Sequence, residues 1–399
     1  MNALRDAVAA PAQTSDFVPL IEPEIRGNEW NYVKECLDTN WVSSVGSYVD
    51  RFEKCVAERS GVKYAIATVN GTAALHIALM LAGVERDDEV LVSSLTFIAP
   101  ANAIHYLGAW PVFIDAEPEY WQIDPQAVAD FLQNHCAWDG TELRNRQTGR
   151  RVKALLPVHI LGHPADIDPI VEIAARYSLP VIEDATEGLG AKCRGRALGG
   201  VGHIGCFSFN GNKLITTGGG GMIVTDNPEW AARARYLTTQ AKDDPVEYVH
   251  NAIGYNYRLT NVLAAIGCAQ MEQLDSYISA KRKIAQRYQE NLASLPGIRL
   301  PLEAEWALST FWMYTILVDA EVSGINSRRL LQELAKQNIQ TRPLWQPLHR
   351  SKAHDSSGSP PCPVSDRLYS QAISLPCSVG LSTSSQDRVI EAISRLFRE

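Results

Sequence analysis

No apolar run in this 399-residue chain reaches the roughly 18 residues a membrane span requires. The stretch "TAALHIALMLAG" comes nearest and is interrupted, so a bilayer-crossing helix is not expected. The opening "MNALRDAVAAPAQ" has the small residues of a cleavage site but no apolar segment before them, which argues against a secretory signal and for a cytoplasmic chain. The eight cysteines, at 36, 55, 136, 193, 206, 268, 362 and 377, form no C-x-x-C pair. That spacing excludes a zinc ribbon and a disulfide framework, and fits reduced structural thiols. Positive charge is also short: 37 Lys and Arg stand against 45 Asp and Glu, a net of −8. Without a basic field, nucleic acid is not an expected partner, and an anionic ligand needs local help. No internal repeat is visible.

What is present is a globular composition, 46% hydrophobic and 21% charged, long enough for about two or three domains. From residue 64 short β-branched runs alternate with amphipathic stretches: "YAIATV" then "TAALHIALMLAG", "EVLVS" then "IAPANAIHYLG", "PVFID" then "DPQAVADFLQNH". A period that switches between 2 and 3.6 predicts βα units around a mostly parallel sheet, an α/β fold. The insert "CAWDGTELRNRQTGR" reads as a surface hairpin or loop, after which "VKALLPV", "IDPIVEIAARYS", "PVIEDA", "IGCFSFN" and "GMIVTD" resume the pattern. Helical spacing then runs for over thirty residues, from "TNVLAAIG" to "ENLASL", and suits a spine between two domains. We therefore expect a large α/β domain at 16–275 and a smaller α+β domain at 276–399, with "HDSSGSPPCP" a loop inside the latter.

Two glycine patterns fail on context. Gly200, Gly202 and Gly205 satisfy G-x-G-x-x-G, yet they precede a strand where a dinucleotide fingerprint must follow one. "GNKL" lacks the earlier glycine and the Ser or Thr of a P-loop. "VNGTAALHIAL" is more promising: Thr72 stands where a helix N-cap would be, and such a helix start is either a phosphate seat or an ordinary capped turn. "LPVIEDATEGLG" puts Glu183, Asp184 and Glu187 at a strand's carboxyl end, where open α/β sheets bind ligands, although an acid there also caps helices. His159 and His163 lie four apart but lack the Glu of H-E-x-x-H, and Pro164 breaks the helix that would align them, so no metal site is expected. Phe97 after the second strand is either core or a flat face for a planar ligand.

Taken together, one domain offers a phosphate seat, an aromatic face, a buried acid and Lys213, 29 residues beyond Asp184. Pyridoxal phosphate needs this set: a lysine for its aldehyde, an acid for its pyridine nitrogen, a helix N-terminus for its phosphate and cover for its ring. Lysine, with an ordinary pKa of about 10.4, must form an imine or be desolvated to act near neutral pH, and the apolar approach "CFSF" supports that.

"VNGTAALHIAL", "EDATEGLG", "FSFNGNKLITTGGGGMIVT" and "GYNYRLTNVLAAIGCAQMEQLD", in this order, resemble the DegT/DnrJ/EryC1/StrS family of nucleotide-sugar aminotransferases over nearly the whole chain. The resemblance implies a fold-type I enzyme, usually a homodimer with shared active sites, using pyridoxal 5'-phosphate, L-glutamate (leaving as 2-oxoglutarate) and a nucleotide-sugar substrate. It implies Lys213 as the imine-forming lysine and Asp184 as the acid facing the pyridine nitrogen. Gly71, Thr72, Ala73 and Ser208 would serve the phosphate, Phe97 the ring, and Asn256 the partner subunit's cofactor phosphate. His159 falls in the family's strand-end histidine motif, Glu187 where many members carry glutamine, and Tyr257 and Arg258 beside the substrate. "NGNKLITTGGGG", "NWVSSVGSYVDRFE" and "TTQAKDDPVEYVH" are most similar to the branch that aminates C4 of UDP-4-keto-6-deoxy-N-acetylglucosamine on routes to bacillosamine and legionaminic acid; GDP- and dTDP-linked keto sugars are the alternatives. The rivals are a sugar dehydratase, which resembles this sequence with histidine in place of the lysine, a non-enzymatic regulator of the same fold, and a nicotinamide-dependent oxidoreductase.

Overall fold

A computed structural model describes residues 16–244, 246–354 and 358–397. The N-terminal stretch read above for a targeting signal, and Asp355–Ser357 of the Ser/Pro loop, lie outside the described residues. Seven strands carry the site: β1 (Tyr64–Thr68), β2 (Glu89–Ser93), β3 (Trp110–Ile114), β4 (Val152–Leu156), β5 (Ile182–Asp184), β6 (Ile204–Ser208) and β7 (Gly221–Thr225). Ladder pairing gives the order β1-β7-β6-β5, and separately β3-β2-β4. Parallel bridges Leu155–Val181 and Val158–Asp184 join the two halves into one surface. β7 alone runs antiparallel to its neighbours, so the start of β7 meets the carboxyl ends of β1 and β6, with Gly221 opposite both Thr68 and Ser208.

Alternation along each strand sorts side chains between two cores. Ile66, Val90, Val92, Ile182, Ile204 and Ile223 face one. Ala65, Ala67, Leu91, Val181, Phe207 and Val224 face the other. Helix α1 (Ser47–Ser60) packs against β1, while α2 (Gly71–Leu81) and α4 (Pro228–Thr238), with α3 (Ala99–Tyr106) beside α2, cover the Ile66 side. The expected insert is a hairpin, Cys136–Trp138 with Leu143–Asn145, and it is anchored inward: Asn145 Nδ2 donates to buried Glu89 Oε2 at 2.8 Å.

The long helical period is α5, Asn261–Leu292, 32 residues without a break, so a boundary at residue 275 falls inside it. Beyond it Tyr314–Val318 pairs between Ile298–Arg299 and Ala372–Leu375. Val18 from the chain's start bridges Ile339, and Cys377 N donates to Leu20 O at 2.8 Å, so the first described residues pack with the last part of the chain. Leu348 N donates to Ser94 O at 2.8 Å, tying that part to the loop after β2. No helix among the described residues is long and apolar enough to cross a membrane.

Candidate active site

The carboxyl ends of β1, β5 and β6 converge, and the helix start is built first. Asn70, with extended backbone, caps α2: its Oδ1 accepts from Ala73 N at 2.8 Å and its carbonyl from Ala74 N at 3.2 Å. This corrects two sequence expectations. Thr72 lies inside the first turn and is not the cap, and the Ala73 amide is already taken, which leaves Gly71 and Thr72 as the first-turn donors without an intrahelical acceptor. Gly71 is glycine because a Cβ there would stand 2.8 Å from Ser208 Cβ and 3.2 Å from Thr186 Cγ2. A helix start, the Ser208 hydroxyl and the turn after Asp184 therefore share one small cradle, with the positive end of the helix dipole directed into it.

Of the four glycines, Gly221 lies against the turn that starts α2. At Gly221 a Cβ would meet the Asn70 carbonyl carbon and oxygen at 2.4 Å and Thr68 Oγ1 at 2.6 Å. Gly218 has φ +80°, a conformation that side chains resist, whereas nothing lies within 4 Å of a Cβ at Gly219. Gly221 is thus a close-approach requirement and Gly219 is not.

Asp184 ends β5 with only 2% of its surface exposed, its Oδ1 accepting from Thr186 N at 3.1 Å. Burial pushes its carboxyl up, against the pull of the Thr186 hydrogen bonds, Lys213 and His159. Beneath it Glu183 points the other way. Its carboxylate accepts from the backbone N–H groups of Gly199 (2.9 Å), Val201 (2.8 Å) and Gly202 (2.6 Å), and lies 3.1 Å from His159 Nε2. Burial raises the Glu183 carboxyl, but His159 and these amides outweigh it and hold it below the ordinary value. The glycine pattern at 200–205 is the loop that wraps this buried acid. His159 is fully buried, its Nδ1 accepting from Ala165 N at 3.0 Å, so both ring nitrogens are engaged inside the protein. The resemblance counts His159 among the cofactor-binding residues; here it backs Asp184, and its ring nitrogens face Glu183 and Ala165. His163 is likewise committed, to Pro164 O and Ala304 N, and burial lowers it to about 4.

Lys213 lies on the loop after β6. Its Nζ is 3.4 Å from Glu187 Oε1 and 4.5 Å from the centre of the Trp312 ring. The other Glu187 oxygen accepts from Leu161 N at 2.8 Å, and burial raises the Glu187 carboxyl against the lowering influence of Lys213. Trp312 was missed by sequence reasoning: "FWMYTILV" signals a strand, and nothing local says that its second residue meets a loop one hundred positions earlier. Phe97 is 55% exposed, which rules out the core reading of that side chain.

The segment after α4 divides the remaining residues. Asn256 is exposed. Tyr257 stacks on Tyr255 with centroids 5.0 Å apart and reaches His76 Nδ1 at 3.4 Å. Arg258 turns inward: it donates to Glu53 Oε1 at 2.8 Å and to Ala67 O at 3.0 Å, and its side chain is 8% exposed. Its expected place beside substrate is therefore corrected. It neutralises Glu53, whose Oε1 also accepts from Ala67 N at 2.8 Å on the edge strand β1.

A lysine, a buried acid and a helix-capped cradle at the strand ends of this sheet define a fold-type I enzyme of the pyridoxal phosphate-dependent aminotransferase class. More narrowly, residues 23–394 match the DegT/DnrJ/EryC1/StrS aminotransferase family, and the chain belongs to it. It is 40% identical to EpsN of Bacillus subtilis (strain 168), covering 95% of each chain. It is 38% identical to the GDP-perosamine synthase of Escherichia coli O157:H7, covering 96% of this chain and 99% of that one. The aminotransferase TlmJ from Streptoalloteichus hindustanus superposes with a TM-score of 0.86 at 28% identity, over 96% of this chain and 99% of its own. The residues present fit the cofactor: Gly71 keeps the helix start close to Ser208, where a Cβ would stand 3.3 Å from its hydroxyl oxygen, and Asp184 and the loop bearing Lys213 lie at the carboxyl ends of neighbouring strands.

Proposed function

We propose that this aminotransferase moves an amino group from L-glutamate to C4 of a GDP-linked 4-keto-6-deoxy sugar, releasing a 4-amino sugar nucleotide and 2-oxoglutarate. The nucleotide rests on the relatives, since those in Escherichia coli O157:H7 and Caulobacter vibrioides, each 38% identical, are GDP-perosamine synthases. They favour GDP over the UDP-linked sugar expected from the motifs, which becomes the second reading on the strength of "NGNKLITTGGGG" and "TTQAKDDPVEYVH".

The observation that carries the chemistry is the Lys213 amine held 3.4 Å from Glu187 within the cluster that buries Asp184. Bound pyridoxal phosphate supplies an aldehyde for amines and a ring that withdraws electrons. Lys213 would hold that aldehyde and, when its amine is free, would take up and release a proton at Nζ; such acid–base transfer is typically worth about 10² to 10⁴ in rate. Asp184, as an anion in a buried site, holds the pyridine nitrogen protonated. Gly71, Thr72 and Ser208 bind the phosphate, Phe97 covers the ring, and Glu187 orients Lys213. Exposed Asn256 reaches the phosphate of a partner subunit in a homodimer, a role that a monomer in light scattering would remove. In this reading the strands and helices up to α5 carry the cofactor, and the part beyond α5, with Val18 and Leu20 paired to it, forms the smaller domain.

The test begins with colour. Protein supplied with pyridoxal phosphate should show a yellow band that glutamate bleaches, and Lys213→Ala should show neither. Protein that stays colourless would refute the reading. Incubation with GDP-, UDP- and dTDP-linked 4-keto-6-deoxy sugars, with NMR of the products, then identifies the nucleotide; turnover of the UDP sugar alone would select the second reading.

A further inference from the structure

In the proposed chemistry, on which this inference rests, Lys213 is displaced from the cofactor in one half-reaction and rejoins it in the other. A released lysine amine on a four-carbon stem has many rotamers, and most of them point it away from the reacting carbon. The surroundings of Lys213 restrict this choice. On one side is the Glu187 carboxylate at 3.4 Å, on another the Trp312 ring with its centre 4.5 Å from Nζ. The same indole donates from Nε1 to the carbonyl of Asn212, the residue before the lysine, at 2.8 Å. One side chain thus contacts both the amine and the backbone that carries it.

Trp312 is itself tightly held. It is 2% exposed, and Cys377 Sγ approaches its carbonyl at 3.7 Å. Gly162, with φ +87°, lies so close that a Cβ there would be 2.5 Å from Trp312 N. The turn that passes under it, with Leu161 at φ +62°, is the one whose N–H fixes Glu187. The neighbouring Phe311 has φ +49°, a left-handed conformation that bulky side chains avoid. Two unusual backbone positions therefore meet where Trp312 and Glu187 are aimed at one nitrogen.

We infer that Trp312 is a positioning residue for Lys213: its ring face and the Glu187 carboxylate form a seat for the released amine, keeping it beside the reacting carbon between proton transfers. Because Trp312 comes from the C-terminal part of the chain, the seat is complete only when that part is docked against the β6 loop.

The experiment compares Trp312→Phe, which keeps the ring face and loses the indole N–H, with Trp312→Leu, which loses both. Cofactor-free protein is mixed with pyridoxal phosphate, the rise of the yellow band is timed, and attachment at Lys213 is verified by borohydride trapping and peptide mass spectrometry. Loss of a cation–ring contact should slow capture in the leucine variant roughly twofold to thirtyfold. It should lower kcat for bleaching by glutamate in proportion, with KM for glutamate little changed. The phenylalanine variant should stay within about threefold of the parent on the same contact. A leucine variant that melts lower yet captures and turns over like the parent would overturn the proposal, leaving Trp312 as packing only. Equal slowing of both variants would overturn it too, since the ring face would not be the agent. Should the leucine variant fail to fold, Trp312→Met, bulky but without a ring, takes its place. Parent protein that forms no yellow band defeats the aminotransferase roles assigned above, an outcome distinct from any difference between variants.

Discussion

Gly221→Ala should damage this protein out of proportion to one methyl group. The added carbon would lie 2.4 Å from two backbone atoms of Asn70 and 2.6 Å from Thr68 Oγ1, about 1 Å inside ordinary contact. The obstacles are mainly backbone, which cannot rotate away, so the strain should fall toward the upper end of the roughly 1–3 kcal/mol typical of overpacking. Gly221 sits between Thr68 and Ser208 in the ladder, so relief requires moving the Asn70 turn or parting β1 from β7. Either movement opens the cradle at Gly71. If about half of that strain must be restored to bind phosphate, affinity for pyridoxal phosphate falls by about tenfold. Gly219→Ala is the matched control: nothing lies within 4 Å of its Cβ, and its stability should stay within about 0.5 kcal/mol of the parent. Urea unfolding midpoints and fluorescence titration with pyridoxal phosphate measure both effects. Equal behaviour of the two variants would refute the close-approach reasoning.

Gly71→Ala should impair both binding and folding: its methyl would stand 2.8 Å from Ser208 Cβ, so the strain of roughly 1–3 kcal/mol typical of overpacking should lower the melting temperature, and cofactor affinity should drop by about tenfold or more as the helix start is pushed from Ser208. Asp184→Asn should abolish transamination yet stabilise the cofactor-free protein. The raised Asp184 carboxyl means that the fold opposes its ionisation. That cost is present at high pH and vanishes as pH falls toward the ordinary carboxylate value of 3.8. The advantage of asparagine, on the order of 1–3 kcal/mol for an ionised group with incomplete hydrogen bonding, should therefore shrink on acidification; an advantage independent of pH in urea melts would contradict the assignment. Arg258→Met removes one of two arginine partners of buried Glu53, Arg235 remaining at 2.6 Å, and should cost about 1–3 kcal/mol of stability. In the folded fraction KM for the sugar should be unchanged, and a selective rise in KM would restore Arg258 to the substrate site.

The α/β class, the βα rhythm, the long helix and the cluster of Lys213, Asp184, Gly71 and Ser208 at strand ends were all legible in the chain, because each depends on local periodicity or on a motif beside a strand. The glycine pattern at 200–205 leads into β6, and its role, enclosing Glu183, appears only when three amide groups converge on one carboxylate.

Periodicity and residue type alone determined which segments form strands and helices and which loop carries the lysine. The tertiary structure decided orientation and partnership. Arg258 turns inward to Glu53, 205 positions earlier, and to the Ala67 carbonyl, where it shares the buried carboxylate with Arg235. Asn70 caps α2 in place of Thr72 because its extended backbone brings Oδ1 to the Ala73 amide. Trp312 reaches Lys213 because strand pairing in the C-terminal part delivers it across one hundred residues. Charge neutralisation, capping and ring contact act over a few ångströms of space, and a sequence records only separation along the chain.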